Sequence, residues 1–359
     1  MPAWTWPRTT RASRSSRSWR SPSRVSSCHW IRRPPGGWRG PSRGSSEPEP
    51  ALLVPTLVLL LSAAPSASLR VSAAGDLQLG ARTTPAVLEA LPSLLEGDVR
   101  VVNLEGPLTA RAHEQGLDAD GTPRAPRVRF AAPPSWAHSL AGRVDVVSLE
   151  NNHAQDAGVA GRQDTAGALR AAGIQPALAR EPASVERQGL QVTVLARDLP
   201  REPTRDEARA LTAAVRAARK TGPVLLSLHW GTTNSNLPTR AQRTLAHALI
   251  EAGASAVLGH GPHAPQGVER HGQGVIAYSL GNLAFSCRCT AVKDAYVLRF
   301  QLAADGAVSD VSALPLRAGL AGEAPGRATD SGVAELLISV SEALGTHTTT
   351  APDGTVVFP

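Results

Sequence analysis

Short, β-rich apolar runs alternate with Ala-rich helical patterns from residue 69 onward, and this alternation restricts the fold more than any other feature. The runs occupy residues 69–73, 99–104, 144–149, 190–196, 224–228, 256–258, 275–280 and 296–302. Helical patterns at 84–95, 162–172, 205–220 and 240–252 lie between many of them. Near-continuous apolar runs are the signature of strands covered on both faces, so the pattern predicts an α/β fold. The helix from Arg205 carries Asp206 and Glu207 in its first turn and Arg216, Arg219 and Lys220 in its last, as its dipole favours. Gly173, Gly222 and Gly253 follow three of the helices as expected C-caps. Residues 111–127, rich in Gly, Pro, Asp and Ala, read as a long surface loop. There is no internal repeat and no heptad pattern. The expected division is a main domain over 69–318 and an appendage over 319–359.

The charge is not spread along the chain. Of a formal +7, residues 1–50 hold ten arginines against only Glu47 and Glu49, a balance of +8, which leaves residues 51–359 at −1. The same 50 residues carry Trp4, Trp6, Trp19, Trp30 and Trp38, five of the seven tryptophans, among Ser, Pro and Gly without helical or strand period. Such a segment cannot bury enough apolar surface to offset its ordering entropy, so it reads as a disordered tail or a mis-assigned start. A basic, aromatic tail could contact nucleic acid. The near-neutral remainder gives no reason to expect a nucleic-acid partner for the domain.

Residues 51–67, ALLVPTLVLLLSAAPSA, hold about eleven apolar residues followed by small ones. That is short of the ~20 needed to span a bilayer and suits an export signal cleaved after Ala64 or Ala67, or an uncleaved anchor. Glu47 and Glu49 immediately before it are unlike the basic leader of an export signal, and a buried first strand is the alternative. The expected location is extracytoplasmic, at the cell envelope. Cys28 stands in the tail, while Cys287 and Cys289 are two positions apart, too close for an ordinary loop-closing bridge. They read as small buried apolar residues, with a strained redox pair as the alternative.

Polar residues of metal-ligand type follow six of the runs. Gly75-Asp76 follows the first, and Asn103-Leu104-Glu105-Gly106 ends the second. Glu150-Asn151-Asn152-His153 follows the third. Later in the chain come His229-Trp230-Gly231, Gly259-His260-Gly261-Pro262-His263 and Gly281-Asn282. Sites in open α/β sheets form at the carboxyl ends of strands, so these segments can converge. Carboxylate, imidazole and amide donors favour borderline or hard divalent ions such as Mn, Fe or Zn over a thiolate zinc site. The set exceeds what one tetrahedral ion needs and would suit two ions sharing a carboxylate, an arrangement that activates water for phosphoryl hydrolysis. Singly, Asp76 could be a cap or turn acid, Asn152 a turn residue and 259–263 a polar loop. The remaining histidines, His29, His113, His138, His247, His271 and His347, lack such settings and read as solvated or core residues.

In this order the motifs Gly75-Asp76, NLEGPLT (103–109), NNHAQDAG (151–158), HWG (229–231), GHGPHAPQGVE (259–269) and AYSLGN (277–282) resemble the CapA family of poly-γ-glutamate capsule synthesis proteins. The resemblance spans residues 70 to about 302. That family is similar to the calcineurin-like metallophosphoesterases, which implies a four-layer α/β/β/α sandwich with two packed sheets and a dinuclear site between strand ends. Carried over, Asp76 and His263 would hold one ion, Asn152, His229 and His260 the other, and Glu105 would bridge them. His153 would protonate the leaving oxygen or steady transition-state charge, with Asp156 orienting it. Asn103, Asn151, Trp230 and Asn282 would complete the surroundings.

The chain departs from the superfamily pattern in four places. Gln78 stands where a His usually follows the first Asp, and Glu105 stands where the bridging residue is Asp. His260 and His263 are separated by two residues instead of one, and Thr232, Thr233 and Asn234 replace the acid that often follows HWG. The resemblance implies a metal-dependent hydrolase using one or two divalent ions on an anionic polymer or phosphate ester, with a membrane synthase complex as a candidate partner. The departures set against this a non-catalytic accessory subunit that retains a vestigial metal site.

Overall fold

The apolar runs account for eight strands, and the computed structural model adds shorter and more polar ones to them. It describes residues 68–111 and 129–359. The segments 1–50 and 51–67 and all but Arg111 of the 111–127 loop lie outside the described residues.

The strands are β1 (Ser68–Gln78), β2 (Val99–Leu104), β3 (Val146–Ser148), β4 (Gln175–Ala177), β5 (Ala183–Arg187), β6 (Leu190–Asp198), β7 (Val224–His229), β8 (Ala256–His260), β9 (Val268–His271), β10 (Gly274–Ala277), β11 (Asn282–Phe285), β12 (Asp294–Ala303), β13 (Val308–Arg317), β14 (Gly319–Leu320), β15 (Gly326–Arg327), β16 (Thr349–Thr350) and β17 (Val356–Phe358). The helices are α1 (Pro85–Glu89), α2 (Leu91–Leu94), α3 (Trp136–Leu140), α4 (Gly158–Ala171), α5 (Arg205–Ala218), α6 (Arg240–Glu251) and α7 (Gly332–Glu342).

The first sheet runs β16-β17-β13-β12-β1-β2-β3-β4, and the second β5-β6-β7-β8-β10-β9. β1 to β4 are parallel neighbours joined through helices, and so are β6, β7 and β8, as crossover connections require. β1 changes partner along its length. Its first half pairs antiparallel with β12, whereas after a bulge Asp76 to Gln78 pair parallel with β11.

Strand alternation divides the apolar residues between layers. Leu69, Val71 and Ala73 of β1 join Leu225 of β7 and Ala256 and Leu258 of β8 in one buried cluster between the sheets. The opposite face of the first sheet, with Val102 and Val147, packs on Leu88, Leu91 and Leu169 of its helices. Val224, Leu226 and Leu228 of β7 pack outward on Leu211, Val215, Leu245 and Leu249 of α5 and α6. Three apolar interfaces between four layers make an α/β/β/α sandwich, the architecture implied by the motifs.

α5 and α6 begin with capping boxes, Thr204 with Glu207 and Thr239 with Gln242, each satisfying two backbone donors reciprocally. Gly173 and Gly253 follow α4 and α6 with φ of +77° and +108°. α7 lies against β9, β12, β13 and β17 and contributes Val333 and Leu337 to the inter-sheet cluster. Cys287 and Cys289 differ from the expectation of two buried thiols, because they are joined in a disulfide. The bend at 286–289 shortens their Cα–Cα separation to 5.3 Å and brings their side chains together. No helix among the described residues is long and apolar enough to cross a membrane.

Candidate metal centre

Each sheet presents a row of polar residues at its carboxyl-end rim. In the first, Asp76 is in register with Asn282 on one side and Asn103 on the other, and Asn103 with Ser148. In the second, Asp198, His229 and His260 are in register across β6, β7 and β8. The bulge in β1 beyond Ala73 re-phases the strand just before Asp76. Two glycines permit the close backbone crossings that bring the rows together. A Cβ on Gly75 would overlap the carbonyl oxygen of Gly281, and one on Gly259 would overlap that of Tyr278.

The acids sit at the centre. Asp76 is fully buried, and its backbone N–H donates to the Gly281 carbonyl at 3.0 Å. Asn151 Nδ2 donates to Asn103 Oδ1 at 3.0 Å and to the Leu104 carbonyl at 2.8 Å, and Asn103 Nδ2 donates to Asp76 Oδ1 at 2.9 Å. This amide relay fixes Asp76 while leaving its other oxygen to the site. Asn151 Oδ1 also accepts from the His153 backbone N–H at 3.1 Å, so one side chain orients both the acid and the turn carrying His153.

The imidazoles arrive from the second sheet and the loop beyond it. His260 Nδ1 lies 3.3 Å from Asp76 Oδ1, and His263 Nδ1 lies 3.0 Å from Asp76 Oδ2. His263 Nδ1 is also 3.0 Å from Asn282 Oδ1, which as an amide oxygen can only accept, so Nδ1 carries a proton, and Nε2 lies 3.6 Å from Glu105 Oε1. His263 has φ of +58°, a left-handed backbone that costs a non-glycine residue of order 1–3 kcal/mol and persists where surroundings enforce it. His229 Nδ1 pairs with Asp198 Oδ1 at 3.0 Å. A carboxylate on Nδ1 sets the tautomer and aims Nε2 at the site, as in carboxylate–histidine–metal arrangements.

His153 is half-buried beside this group. Its Nδ1 pairs with Asp156 Oδ2 at 2.7 Å, an oxygen that also accepts the Phe130 N–H at 2.7 Å, and its ring lies 4.2 Å from that of Phe130. Asp156 and Phe130 thereby hold the imidazole. Asn152 is exposed. Trp230 is buried behind the rim, with Nε1 donating to the Tyr278 carbonyl at 2.9 Å. Gln78 gives nothing to the centre, since Nε2 donates to the Leu79 carbonyl at 2.6 Å and Oε1 accepts the Cys287 N–H at 3.0 Å.

The electrostatics are those of opposed charges brought together in a dry place. Burial pushes the Glu105 carboxyl up to about 8, reinforced by the charge of Asp76 and opposed by His263 and His229. Burial acts the same way on Asp76, but His260 and His263 outweigh it and hold that carboxyl well below the usual range. Burial disfavours the His263 cation, yet Asp76, Glu105 and Asn282 raise it to about 9. His229 is likewise raised against its burial, by Asp198, Glu105 and Asp76.

Whether an ion fits is decided by the unpartnered donors. Both Glu105 oxygens and the Nε2 atoms of His229 and His260 are buried without a hydrogen-bond partner, while Asp76 Oδ2 and His260 Nδ1 have only the ion-pair contacts between Asp76 and the two imidazoles. Each such atom costs about 1–3 kcal/mol when nothing meets it. Asp76, Glu105 and His263 offer ligand atoms within 4.8 Å of one another. Carboxylates and imidazoles without a thiolate fit a divalent ion of the Mn, Fe or Zn type. Asp198 and Phe130 escape the sequence reading. Asp198 follows the 190–196 run as Asp76 and His229 follow theirs, and that shared position is its signal; Phe130 has none.

The sandwich is compatible with a metallophosphatase-like α/β fold, and its strand ends gather a cluster of carboxylates and imidazoles. The chain belongs to the bacterial capsule synthesis protein PGA_cap family, whose profile matches residues 62–286. It is 29% identical over 181 residues to the "PGA biosynthesis protein CapA" of Bacillus subtilis (strain 168), covering 45% of this chain and 48% of that one. It is 31% identical over 216 residues to the "Probable polyglutamine synthesis accessory protein Rv0574c" of Mycobacterium tuberculosis (strain ATCC 25618 / H37Rv), covering 52% and 55%. The chain thus spans about half the length of these relatives. A crystal structure of a hypothetical protein from Thermus thermophilus is similar over 69% of this chain and 99% of that one, with 18% identity and a TM-score of 0.45.

Proposed function

We propose that the chain is a metal-dependent hydrolase of the metallophosphoesterase kind, acting outside the cytoplasm in the assembly of a poly-γ-glutamate-like capsule polymer. The observation that carries the enzymatic part is the set of buried, unpartnered ligand atoms on Glu105, His229 and His260, gathered around the buried Asp76. The names of the relatives support the capsule part, and the signal-like segment 51–67 supports export. Asp76, Glu105, His229, His260 and His263 would hold one or two ions, with Asn152 as a further candidate ligand. Bound divalent ions supply Lewis acidity and an activated water for attack on a phosphoryl or amide-type centre.

The protein's own contribution is orientation and proton transfer. The Asn151–Asn103–Asp76 relay holds the acid row still. The Asp156 carboxylate keeps the His153 proton on Nδ1 in the neutral ring. In the imidazolium it steadies the charge, so Nε2 can give its proton to a leaving oxygen. Loading the full chain with Mn, Fe or Zn and assaying a generic phosphodiester tests this. Turnover is expected in the parent and not in Glu105→Ala or His260→Ala, while His153→Ala should keep its metal and lose roughly 10²–10⁴ in kcat. Unchanged turnover in all three variants would overturn the assignment.

A second reading has one observation of its own. Gln78 is committed to backbone partners where the superfamily supplies an imidazole, so the position nearest Asp76 has fewer ligands. A non-catalytic subunit that binds polyglutamate or a membrane synthase through this centre would bind metal stoichiometrically and turn over no phosphodiester.

A further inference from the structure

We propose that this chain has a second divalent-cation site, on the flank of the second sheet, formed by His247, Glu269 and His271 with Glu251 at its rim. The placement follows from two periodicities. His247 and Glu251 are one turn apart on α6 and share a helix face, while Glu269 and His271 are alternate residues of the edge strand β9 and share a sheet face. The two faces meet. His247 Nε2 lies 2.8 Å from Glu269 Oε1, His271 Nε2 lies 3.3 Å from Glu251 Oε1, and the two imidazole rings stack with centroids 4.1 Å apart and planes 4° from parallel.

One ligand atom each from His247, Glu269 and His271 lie within 4.8 Å of one another. Glu269 is held from behind. The Tyr278 hydroxyl donates to its Oε2 at 2.7 Å, which leaves Oε1 facing the histidines. Glu269 is 6% exposed, whereas the histidine side chains are 27% and 29% exposed, so a fixed carboxylate stands under two rings that an ion can reach from solvent. Two imidazoles and one or two carboxylates are a donor set for Zn²⁺.

This cluster is distinct from the centre at the rim. His271 pairs with Gly274, which precedes the pairing of Val275 with Ala256 at the start of β8, whereas His260 ends β8. At ~3.3 Å per residue that is roughly 13 Å along the strand direction alone. A zinc ion here would clip the second turn of α6 and its end to the edge strand, adding a link that the folded state has and the unfolded chain lacks, and would raise stability with ion concentration.

The test uses the full chain stripped with a chelator and carrying Glu105→Ala and His260→Ala, so that the rim centre is disabled. Calorimetric titration with ZnCl₂ should still find about one equivalent, together with a zinc-dependent rise in Tm. His271→Gln or His247→Gln should weaken that binding at least about tenfold, and the pair should abolish it along with the Tm rise. In the unsubstituted protein, zinc should protect His247 and His271 from diethyl pyrocarbonate, read by peptide mass spectrometry, which keeps the question open to test even if the variants fail to fold. Zinc binding unaffected by the double substitution, or equal modification of both histidines with and without zinc, would overturn the proposal. Neither result bears on the rim centre.

Discussion

The two acid–imidazole clusters use the same side chains and differ in what their donor atoms face. At the rim, both Glu105 oxygens and the Nε2 atoms of His229 and His260 are buried without hydrogen-bond partners. On the flank, Glu269 meets His247 with one oxygen and Tyr278 with the other. Desolvated donors with nothing to meet carry a free-energy cost that an ion would remove, so the rim has the organisation that the proposed ion needs. The flank satisfies itself, and an ion there must first displace a hydrogen bond. The difference teaches that donor type alone does not define a metal centre; the state of the lone pairs when no metal is bound sets the expected affinity.

The largest effect should come from breaking that organisation at its middle. Glu105→Ala removes the carboxylate that faces His263 and is expected to weaken Mn²⁺ or Zn²⁺ binding at the rim by more than about 100-fold, measured by competition with a chromophoric chelator. Asp198→Asn should cost less. It keeps the shape but weakens the partner that orients His229, and the expected loss is about 10–100-fold in metal affinity. A loss as large as that of Glu105→Ala would mean that Asp198 is itself a ligand.

The third expectation concerns pH. In the metal-free protein the raised groups of the centre include Glu105, at about 8, and His263, at about 9, with His229 raised as well. Each must lose a proton before it can ligate, so ion uptake at neutral pH releases protons. Affinity should therefore rise as pH increases towards 9 and flatten above it, by up to about tenfold per unit for each proton displaced. Affinity that is flat between pH 6 and 9 would contradict protonation of the centre. The smallest effect belongs to the flank, where His271→Gln should leave phosphodiester turnover within about twofold of the parent, because the substitution lies at the far end of β8.

Much of the rim was legible in the sequence because a buried parallel strand announces its end. Apolar runs give way abruptly to Gly-Asp, Asn-Leu-Glu or Gly-His-Gly, and the fold sets those ends side by side. Asp198 was hidden because the polar residues after the 190–196 run, Arg197 and Asp198, look like any loop entry; only the register with His229 gives the acid its meaning. The amide relay was half visible. Asn103 and Asn151 stood out as strand-end residues, but their positioning role depends on a hydrogen-bond chain across three segments that no spacing encodes.

The second sheet's helices were readable from capping residues and apolar spacing. β13 was not, because Ser309, Asp310, Ser312 and Pro315 interrupt its apolar residues while Val311, Ala313 and Leu314 still divide between the two faces of the sheet. The flank cluster was invisible for the same reason as the relay. His247 and His271 are 24 positions apart and carry no motif, and only the packing of α6 against an edge strand brings their rings into contact. The disulfide between Cys287 and Cys289 shows the converse, a pair whose closeness in sequence had argued against the bond that the local bend allows.

The central claim is that the rim cluster is a metal centre, and metal content tests it most directly. The full chain carrying His247→Gln and His271→Gln, so that the flank contributes nothing, is stripped, dialysed against Mn²⁺ or Zn²⁺ and analysed by mass spectrometry beside the same protein with Glu105→Ala and His260→Ala. At least about one ion per chain is predicted in the first protein and less than about a tenth of that in the second. Equal metal content in the two would contradict the account.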